Sequence, residues 1–167
     1  MRIRNVVIGL AAAMAVLFSV QPAAAQGRTI EFAGGYQFLR FLENDGLNVP
    51  TGWGAAIASS MKNRIKIVGE VGGHHDDGND LHTFQGGAEF GLGSNEKAMP
   101  FVRLVTGLGR FSNGEDSTNA WAFTPEFGVD VMNSSGVGVR LAAGFPIFRA
   151  EGNTESTFRL FVGVVIK

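Results

Sequence analysis

The segment between residues 74 and 82 concentrates the side chains that are best suited to binding metal ions. It holds all three histidines of the chain and three aspartates: His74, His75, Asp76, Asp77, Asp80 and His82. Imidazole nitrogens are ligands for transition metals, and clustered carboxylates can hold calcium. The spacing matches neither a zinc-protease motif nor an EF-hand loop, and hydrophilic loop tips are ordinarily acidic. We therefore expect a solvated loop here, with a metal site as the weaker alternative.

Charged side chains elsewhere recur with a single parity along segments that alternate between polar and apolar residues. Five are acids and five are bases: Glu31, Arg64, Lys66, Glu70, Glu89, Arg103, Glu126, Asp130, Arg140 and Arg159. An unpaired charge away from water is very costly, whereas matched ions neutralise each other. The equal numbers predict an internal network of ion pairs. The alternative is a gated path, in which Glu70 or Glu126 exchanges partners with Arg103 or Arg140 and admits water or ions.

Serine and histidine do not form a recognisable catalytic motif. Nucleophilic catalysis needs a serine, a histidine base and a carboxylate within hydrogen-bond reach. Ser112, Ser117 and Ser156 lie on loops other than that of His82, and His82 is followed by Thr83, whereas lipid A deacylases carry a His-Ser pair. The absence of cysteine excludes disulfides and thiolate metal sites. We expect no enzymatic activity and no cofactor, and a lipid A-modifying barrel enzyme is the least favoured alternative.

The elements that must position these residues are predicted to be β-strands. From Thr29 onward, apolar residues recur at period two, which indicates strands with two different faces. Eight segments show this pattern, over residues 28–39, 51–61, 64–74, 81–93, 99–111, 119–132, 136–148 and 156–166. Most are longer than the usual globular strand of about 5–6 residues. Their length suits a tilted strand crossing a bilayer, which takes about 9–11 residues.

The connections between these segments are rich in Gly, Asn and Asp, which tolerate the positive φ angles of tight turns. The first, third, fifth and seventh are longer and acidic, whereas the second and sixth are tight. Long loops at one rim and short turns at the other are typical of outer-membrane barrels. Eight strands return both termini to the short-turn side. The pattern predicts an all-β, antiparallel, up-and-down barrel.

The first 25 residues read as a cleavable signal peptide, which leaves residues 26–167 as one barrel domain. Arg2 and Arg4 precede an apolar core, and Ala23-Ala24-Ala25 forms the cleavage site. The apolar core is shorter than the ~20 residues of a spanning helix. Without the two signal arginines, the remaining 12 basic and 15 acidic residues give a net charge of −3. Such a charge excludes a strongly basic nucleic-acid binder.

The apolar face of these strands is predicted to face lipid. An eight-stranded barrel has an interior that side chains just fill, and eleven aromatic rings on this face would overfill it. This face carries only Arg110 and His82 as charged or titratable residues, in keeping with a cost of roughly 2–4 kcal/mol for Arg or Lys at mid-bilayer. The charged face is instead rich in Gly and Ala, which leave room for long ions. A soluble, lipocalin-like periplasmic barrel that binds a hydrophobic ligand is the alternative.

Eight of these aromatic residues cluster toward the long-loop ends, as in the girdle at a membrane–water interface. They are Tyr36, Phe38, Trp53, Phe84, Trp121, Phe123, Phe145 and Phe158. Phe32 and Phe90 are the best candidates for a thinner girdle at the other end.

Short motifs along the whole mature chain resemble the small eight-stranded outer-membrane barrels of the OmpA and OmpX type. They include Glu31-Phe32-Ala33-Gly34-Gly35-Tyr36, Gly86-Gly87-Ala88-Glu89-Phe90-Gly91, Pro100-Phe101-Val102-Arg103 and Phe161-Val162-Gly163-Val164-Val165-Ile166. The resemblance implies assembly into the bacterial outer membrane with a charged, closed lumen. Such chains usually end in an aromatic residue that the barrel assembly machinery recognises, whereas this chain ends in Ile166-Lys167.

The sequence therefore predicts a monomeric, non-enzymatic barrel of the outer membrane with a structural or surface-interaction role. Its expected partners are outer-membrane lipid, lipopolysaccharide and, in transit, the barrel assembly machinery.

Overall fold

The computed structural model describes residues 29–42, 48–62, 64–76, 79–93, 97–113, 116–150 and 152–167. The predicted signal peptide lies outside these residues. None of the described residues belongs to a helix long and apolar enough to cross a membrane. The strands are β1 (Ile30–Phe41), β2 (Asn48–Lys62), β3 (Ile65–Asp76), β4 (Asn79–Gly91), β5 (Ala98–Ser112), β6 (Ser117–Met132), β7 (Val137–Gly144), β8 (Ile147–Ala150) and β9 (Asn153–Ile166).

All strand pairs are antiparallel, and β1 pairs with β9, so the sheet closes on itself. The predicted all-β, up-and-down barrel is confirmed. We call the end that carries the connections β1–β2, β3–β4, β5–β6 and β8–β9 the distal end. The proximal end carries Thr29, Lys167 and the other hairpin connections.

The strands β7 and β8 together make one stave of the barrel, which gives eight staves in all. Both pair with β6 and β9, and the register runs through the gap unchanged. The gap falls at Phe145 and Pro146 because proline has no N–H to donate to the ladder. Phe145 N still donates to Pro125 O at 2.9 Å, and Thr157 N donates to Pro146 O at 2.9 Å.

Burial alternates along the strands, so one face fills the barrel and the other covers its outside. In β6, the even-numbered residues from Ala120 to Asp130 are buried, whereas Trp121, Phe123 and Phe127 are exposed. All eight residues of the predicted girdle lie on the outer face, with Phe38 and Phe158 half-buried there. Most of the large apolar side chains therefore point outward, and the side chains of the ion network point into the lumen.

The predicted contrast between long loops at one rim and short turns at the other is wrong. Only two residues connect β3 to β4 at the distal end, whereas six connect β4 to β5 at the proximal end. The polar residues that read as loop instead extend the ladder, with His75 paired to Asp80 and Asp76 paired to Asn79. Backbone pairing in water does not need apolar side chains, so polarity alone did not mark the strand ends.

The period-two alternation predicted that Arg64 would lie in the lumen, and this prediction is wrong. It occupies the turn between β2 and β3 and is exposed. The register of β2 against β3 shifts between Ser60 and Lys62, and an alternation rule fails across such an irregularity. Lys167 supplies the fifth basic group instead, since its Nζ lies 3.2 Å from Glu31 Oε1.

Candidate functional site

The lumen holds the densest set of interacting polar groups among the described residues, and its centre is a ring of alternating charges. Arg103 on β5 bridges Glu70 at 3.2 Å and Glu126 at 3.1 Å. Arg159 on β9 bridges the same two carboxylates at 2.9 and 2.6 Å. All four side chains are buried. The ring joins β3, β5, β6 and β9, of which only β5 and β6 pair directly in the sheet, so it also ties together staves that share no backbone hydrogen bonds.

A second cluster of ions lies on the proximal side of this ring. Glu89 accepts from Arg103 at 2.6 Å and from Lys66 at 2.8 Å. Lys66 also reaches Glu31 at 2.7 Å. Arg140 forms a bidentate pair with Asp130 at 2.6 and 2.7 Å. Including Lys167, this ion network contains five acids and five bases among the described residues, and bidentate or shared pairs of this kind are the strong ones.

An aromatic residue that the sequence analysis did not single out supports these ions. Phe101 is 2% exposed and faces the lumen, with the guanidinium carbons of Arg140 and Arg103 lying 4.7 and 5.2 Å from its ring centroid. Both distances fall within the range of cation–π attraction. Gly128 makes room for the ring, because a Cβ at this position would lie 2.5 Å from Phe101 Cζ.

Amide, hydroxyl and imidazole side chains form the next layer toward the distal end. Gln85 Nε2 donates to Thr124 Oγ1 at 3.0 Å, and His74 Nε2 donates to Gln37 Oε1 at 3.1 Å. Gly52 leaves space for the imidazole of His74, where a Cβ would clash. The small lumen residues thus accommodate large neighbours, and here these neighbours are an amide and an imidazole as well as ions.

An apolar layer follows at the distal end. Its buried members are Leu39, Leu81, Ala120, Ala122 and Phe148, with Phe41, Phe111 and Ala150 packed against them. Sequence reasoning missed this layer because it treated the inward face as charged or small. The signal was present, since Leu39, Leu81 and Phe148 share the parity of the charged residues on their own strands or staves.

The packed layers leave little empty space beside the ions. A cavity of about 10 Å³ adjoins Glu70, Arg103, Glu126 and Arg140. A cavity of that size holds about one water molecule. The charged layer therefore fills the lumen cross-section near the ring, and the apolar layer covers it on the distal side.

The three histidines among the weak metal candidates do not share one face of the sheet. His74 faces the lumen, whereas His75 and His82 face outward, and His75 hydrogen-bonds to Asp80. Asp77 lies outside the described residues. Across the described ranges, no group of three or more His, Cys, Asp or Glu side chains is placed to hold a metal ion. Alternation along a strand explains the separation, because His74 and His75 are neighbours in sequence but point to opposite faces.

The distal serines and His82 do not form a catalytic arrangement either. His82 is paired across the sheet with Arg110, and the guanidinium of Arg110 donates to Ser117 Oγ at 3.2 Å. No hydrogen bond joins His82 to a serine within the part of the chain that the structure describes.

The fold is shared with solved structures of small outer-membrane barrels. Neisserial surface protein A has a TM-score of 0.63 at 12% identity, with 85% of this chain and 99% of that chain covered. Ail, the attachment invasion locus protein of Yersinia pestis, has a TM-score of 0.51 at 13% identity, with coverage of 84% and 99%. The N-terminal β-barrel domain of Pseudomonas aeruginosa OprF has a TM-score of 0.51 at 13% identity, with coverage of 81% and 97%.

No family model matches the sequence, and no curated protein matches it. The structural likeness therefore shows the fold: the chain has the architecture of the small eight-stranded outer-membrane barrels.

Proposed function

We propose that the chain is a non-enzymatic protein of the bacterial outer membrane, with a lumen closed by paired charges and a structural or surface-interaction role. The observation that carries this proposal is the polarity of the barrel. Large apolar side chains cover its outside, with Phe127 63% and Trp121 57% exposed, while a network of five acids and five bases among the described residues occupies its proximal and central lumen. A barrel in water would bury those apolar side chains.

The filled lumen argues against the soluble-barrel alternative. A lipocalin-like protein needs an apolar cavity large enough for its ligand, and small-molecule pockets usually measure about 300–1,000 Å³. The space beside the central ion ring is about 10 Å³. The interior beside the ion ring is therefore better suited to a lumen plugged by ion pairs than to a ligand-binding cavity.

The outer face also carries basic side chains where the strands approach the distal end. Arg40, Arg110 and Arg149 are exposed there, beyond most of the girdle. Guanidinium groups bind phosphates well, so these residues suit the phosphorylated headgroups of lipopolysaccharide. We place the distal end toward the environment for this reason. A surface role is in keeping with the name of Ail, an attachment protein of the same fold.

Cell fractionation tests the membrane assignment. Expressed with its predicted signal peptide, the protein should sediment with outer membranes, begin at Gln26 by mass spectrometry and require detergent for extraction. It should also migrate faster on a gel before boiling than after, because a detergent-resistant barrel stays compact. Recovery in the soluble periplasmic fraction would contradict the proposal.

Planar-bilayer recording tests whether the lumen is closed to ions. The purified protein should insert without steady, large conductance, because the ion pairs and the apolar layer block the lumen. A stable open level in pure protein would favour the gated path.

A further inference from the structure

A small cavity at the distal mouth of the barrel combines an apolar floor with a polar rim, unlike the layers beneath it. We call it the distal cup: Phe41, Leu81 and Phe111 form its apolar part, and Asp80, Asp116 and Thr118 contribute to its polar rim. Its volume is about 160 Å³. An apolar cavity of roughly 150 Å³ accommodates a molecule of the size of benzene. The cup therefore has room for a single ring-sized group.

The floor of the cup is held in place from below. The ring of Phe111 meets that of Phe148 edge-on, with centroids 5.2 Å apart and an interplanar angle of 80°. Phe148 and Leu81 are 3% and 4% exposed. Phe41 and Phe111, whose centroids are 6.4 Å apart, are only half-buried and present aromatic surface to the mouth. A ligand could thus cover apolar surface without first rearranging the barrel.

The titratable groups that line the cup are acidic. Asp80 and Asp116 lie on its rim, and none of its described lining residues is Lys, Arg or His. The nearest cross-strand bases approach from the outer face: His75 bonds to Asp80, and Arg110 donates to Ser117.

A third carboxylate lies beside the support of the floor. Glu155 on β9 is the cross-strand partner of Phe148. Its Oε2 is buried and has no hydrogen-bond partner among the described residues. An orphaned carboxylate oxygen is costly, and Glu155 adds a further carboxylate on the distal side of the lumen. Aromatic faces together with carboxylates are the surroundings that organic cations prefer.

We infer that the distal cup binds a small organic cation, an amine or quaternary ammonium that carries one ring-sized apolar group. The apolar body lies against Phe41, Leu81 and Phe111, and the cationic head lies at the rim near Asp80 and Asp116. An anion of the same shape is repelled by these carboxylates. A neutral analogue retains the apolar contacts and loses the charge interaction. A bare metal ion finds no ligands on the aromatic floor.

Three matched probes test this inference on the full barrel in uncharged maltoside micelles. They are 2-phenylethylammonium, neutral 2-phenylethanol and anionic phenylacetate, and the readout is the ¹³C-methyl NMR signals of Leu81 and Leu39. The ammonium should shift the Leu81 signals saturably. The alcohol should bind about ten-fold more weakly, as expected for the loss of a charge-assisted interaction with the rim carboxylates. Phenylacetate should not shift them.

Variants then assign the charge preference to the cup. Replacing both rim acids, by Asp80→Asn and Asp116→Asn, should weaken ammonium binding by about ten-fold and leave alcohol binding unchanged. Asn113→Asp should strengthen ammonium binding. Asn113 lines the cup and its Oδ1 accepts from Asp116 N at 2.8 Å, a bond that an aspartate can also accept.

Asn133→Asp is the matched control. Asn133 occupies a similar turn at the proximal end, where its Oδ1 accepts from Ser135 N and Val137 N at 3.0 Å. This variant adds the same charge far from the cup and should change nothing. Three results would each overturn the inference: equal affinity for the ammonium and the alcohol, no shift at Leu81, or equal effects of Asn113→Asp and Asn133→Asp. Heat-modifiable migration verifies that each variant is folded.

Discussion

At the scale of single residues, the lumen works as a set of mutually dependent charges. Arg103 contacts Glu70, Glu89 and Glu126 at once, so no single pair describes its contribution. Removing one member of a buried network leaves its partners charged without compensation, which is more costly than removing an entire pair. The charged residues should therefore differ sharply in how much their removal lowers the free energy of unfolding.

Arg103→Met should destabilise the barrel by about 3–5 kcal/mol, because three buried carboxylates lose a shared partner. Arg110→Met is the control, since this arginine is exposed and, among the described residues, its guanidinium donates to Ser117; its loss should cost less than about 1 kcal/mol. Urea unfolding in micelles, followed by tryptophan fluorescence, measures both. Equal costs would mean that the lumen charges do not depend on one another.

Gly128→Ala should destabilise the barrel by about 1–3 kcal/mol through overpacking. An added Cβ would lie 2.5 Å from the Phe101 ring and 2.7 Å from the carbonyl oxygen of Leu141. Gly86→Ala is the matched substitution, because its Cβ would meet nothing closer than 3.7 Å. The same unfolding measurement should show a change within about 0.5 kcal/mol for Gly86→Ala. A tolerated Gly128→Ala would argue that the Phe101 ring has space to move.

At the scale of the elements, the sequence predicted the strands and their two faces well, because alternation survives wherever a strand is regular. It failed where regularity stops. Arg64 was misplaced by the irregularity near Ser60, and the role of Lys167 lay beyond the last segment that could be counted. The β3–β4 ladder runs through residues that read as loop. Which carboxylate contacts which arginine depends on the register and the stagger of the strands. The period-two alternation of the sequence gives no information on either.

A charge introduced on the outer face of the strands should lower the folding stability of the barrel more when it lies near the middle of the bilayer than when it lies near its edge. Leu104 lies near the middle of β5 and is 48% exposed on the outer face, whereas Met61 lies near the proximal end of β2 and is 60% exposed. Leu104→Arg should cost about 2–4 kcal/mol and Met61→Arg about 0–1 kcal/mol when the barrel folds into lipid vesicles. In water, two exposed sites would respond alike, so equal costs would contradict a lipid-facing belt.

At the scale of the whole molecule, the barrel is layered along its axis. Ions fill the proximal and central lumen, amide, hydroxyl and imidazole groups come next, and an apolar layer closes the distal side beneath the cup. A closed sheet leaves no unpaired edge, which suits a protein surrounded by hydrocarbon. A surface-interaction role would therefore depend on the distal rim and the cup, and not on passage through the lumen.

The most direct test of this account uses the absence of native cysteine. Single cysteines placed at the exposed positions Leu104, Thr106 and Leu108 on β5 can each carry a spin label, with the protein reconstituted in lipid. Labels at Leu104, Thr106 and Leu108 should collide readily with oxygen and poorly with a water-soluble nickel complex, because these positions face hydrocarbon. A label at Ser135, in the exposed turn between β6 and β7, should instead be reached readily by the nickel complex. Strong nickel accessibility at Leu104 and Leu108 would show that the apolar face lies in water and would contradict the membrane barrel.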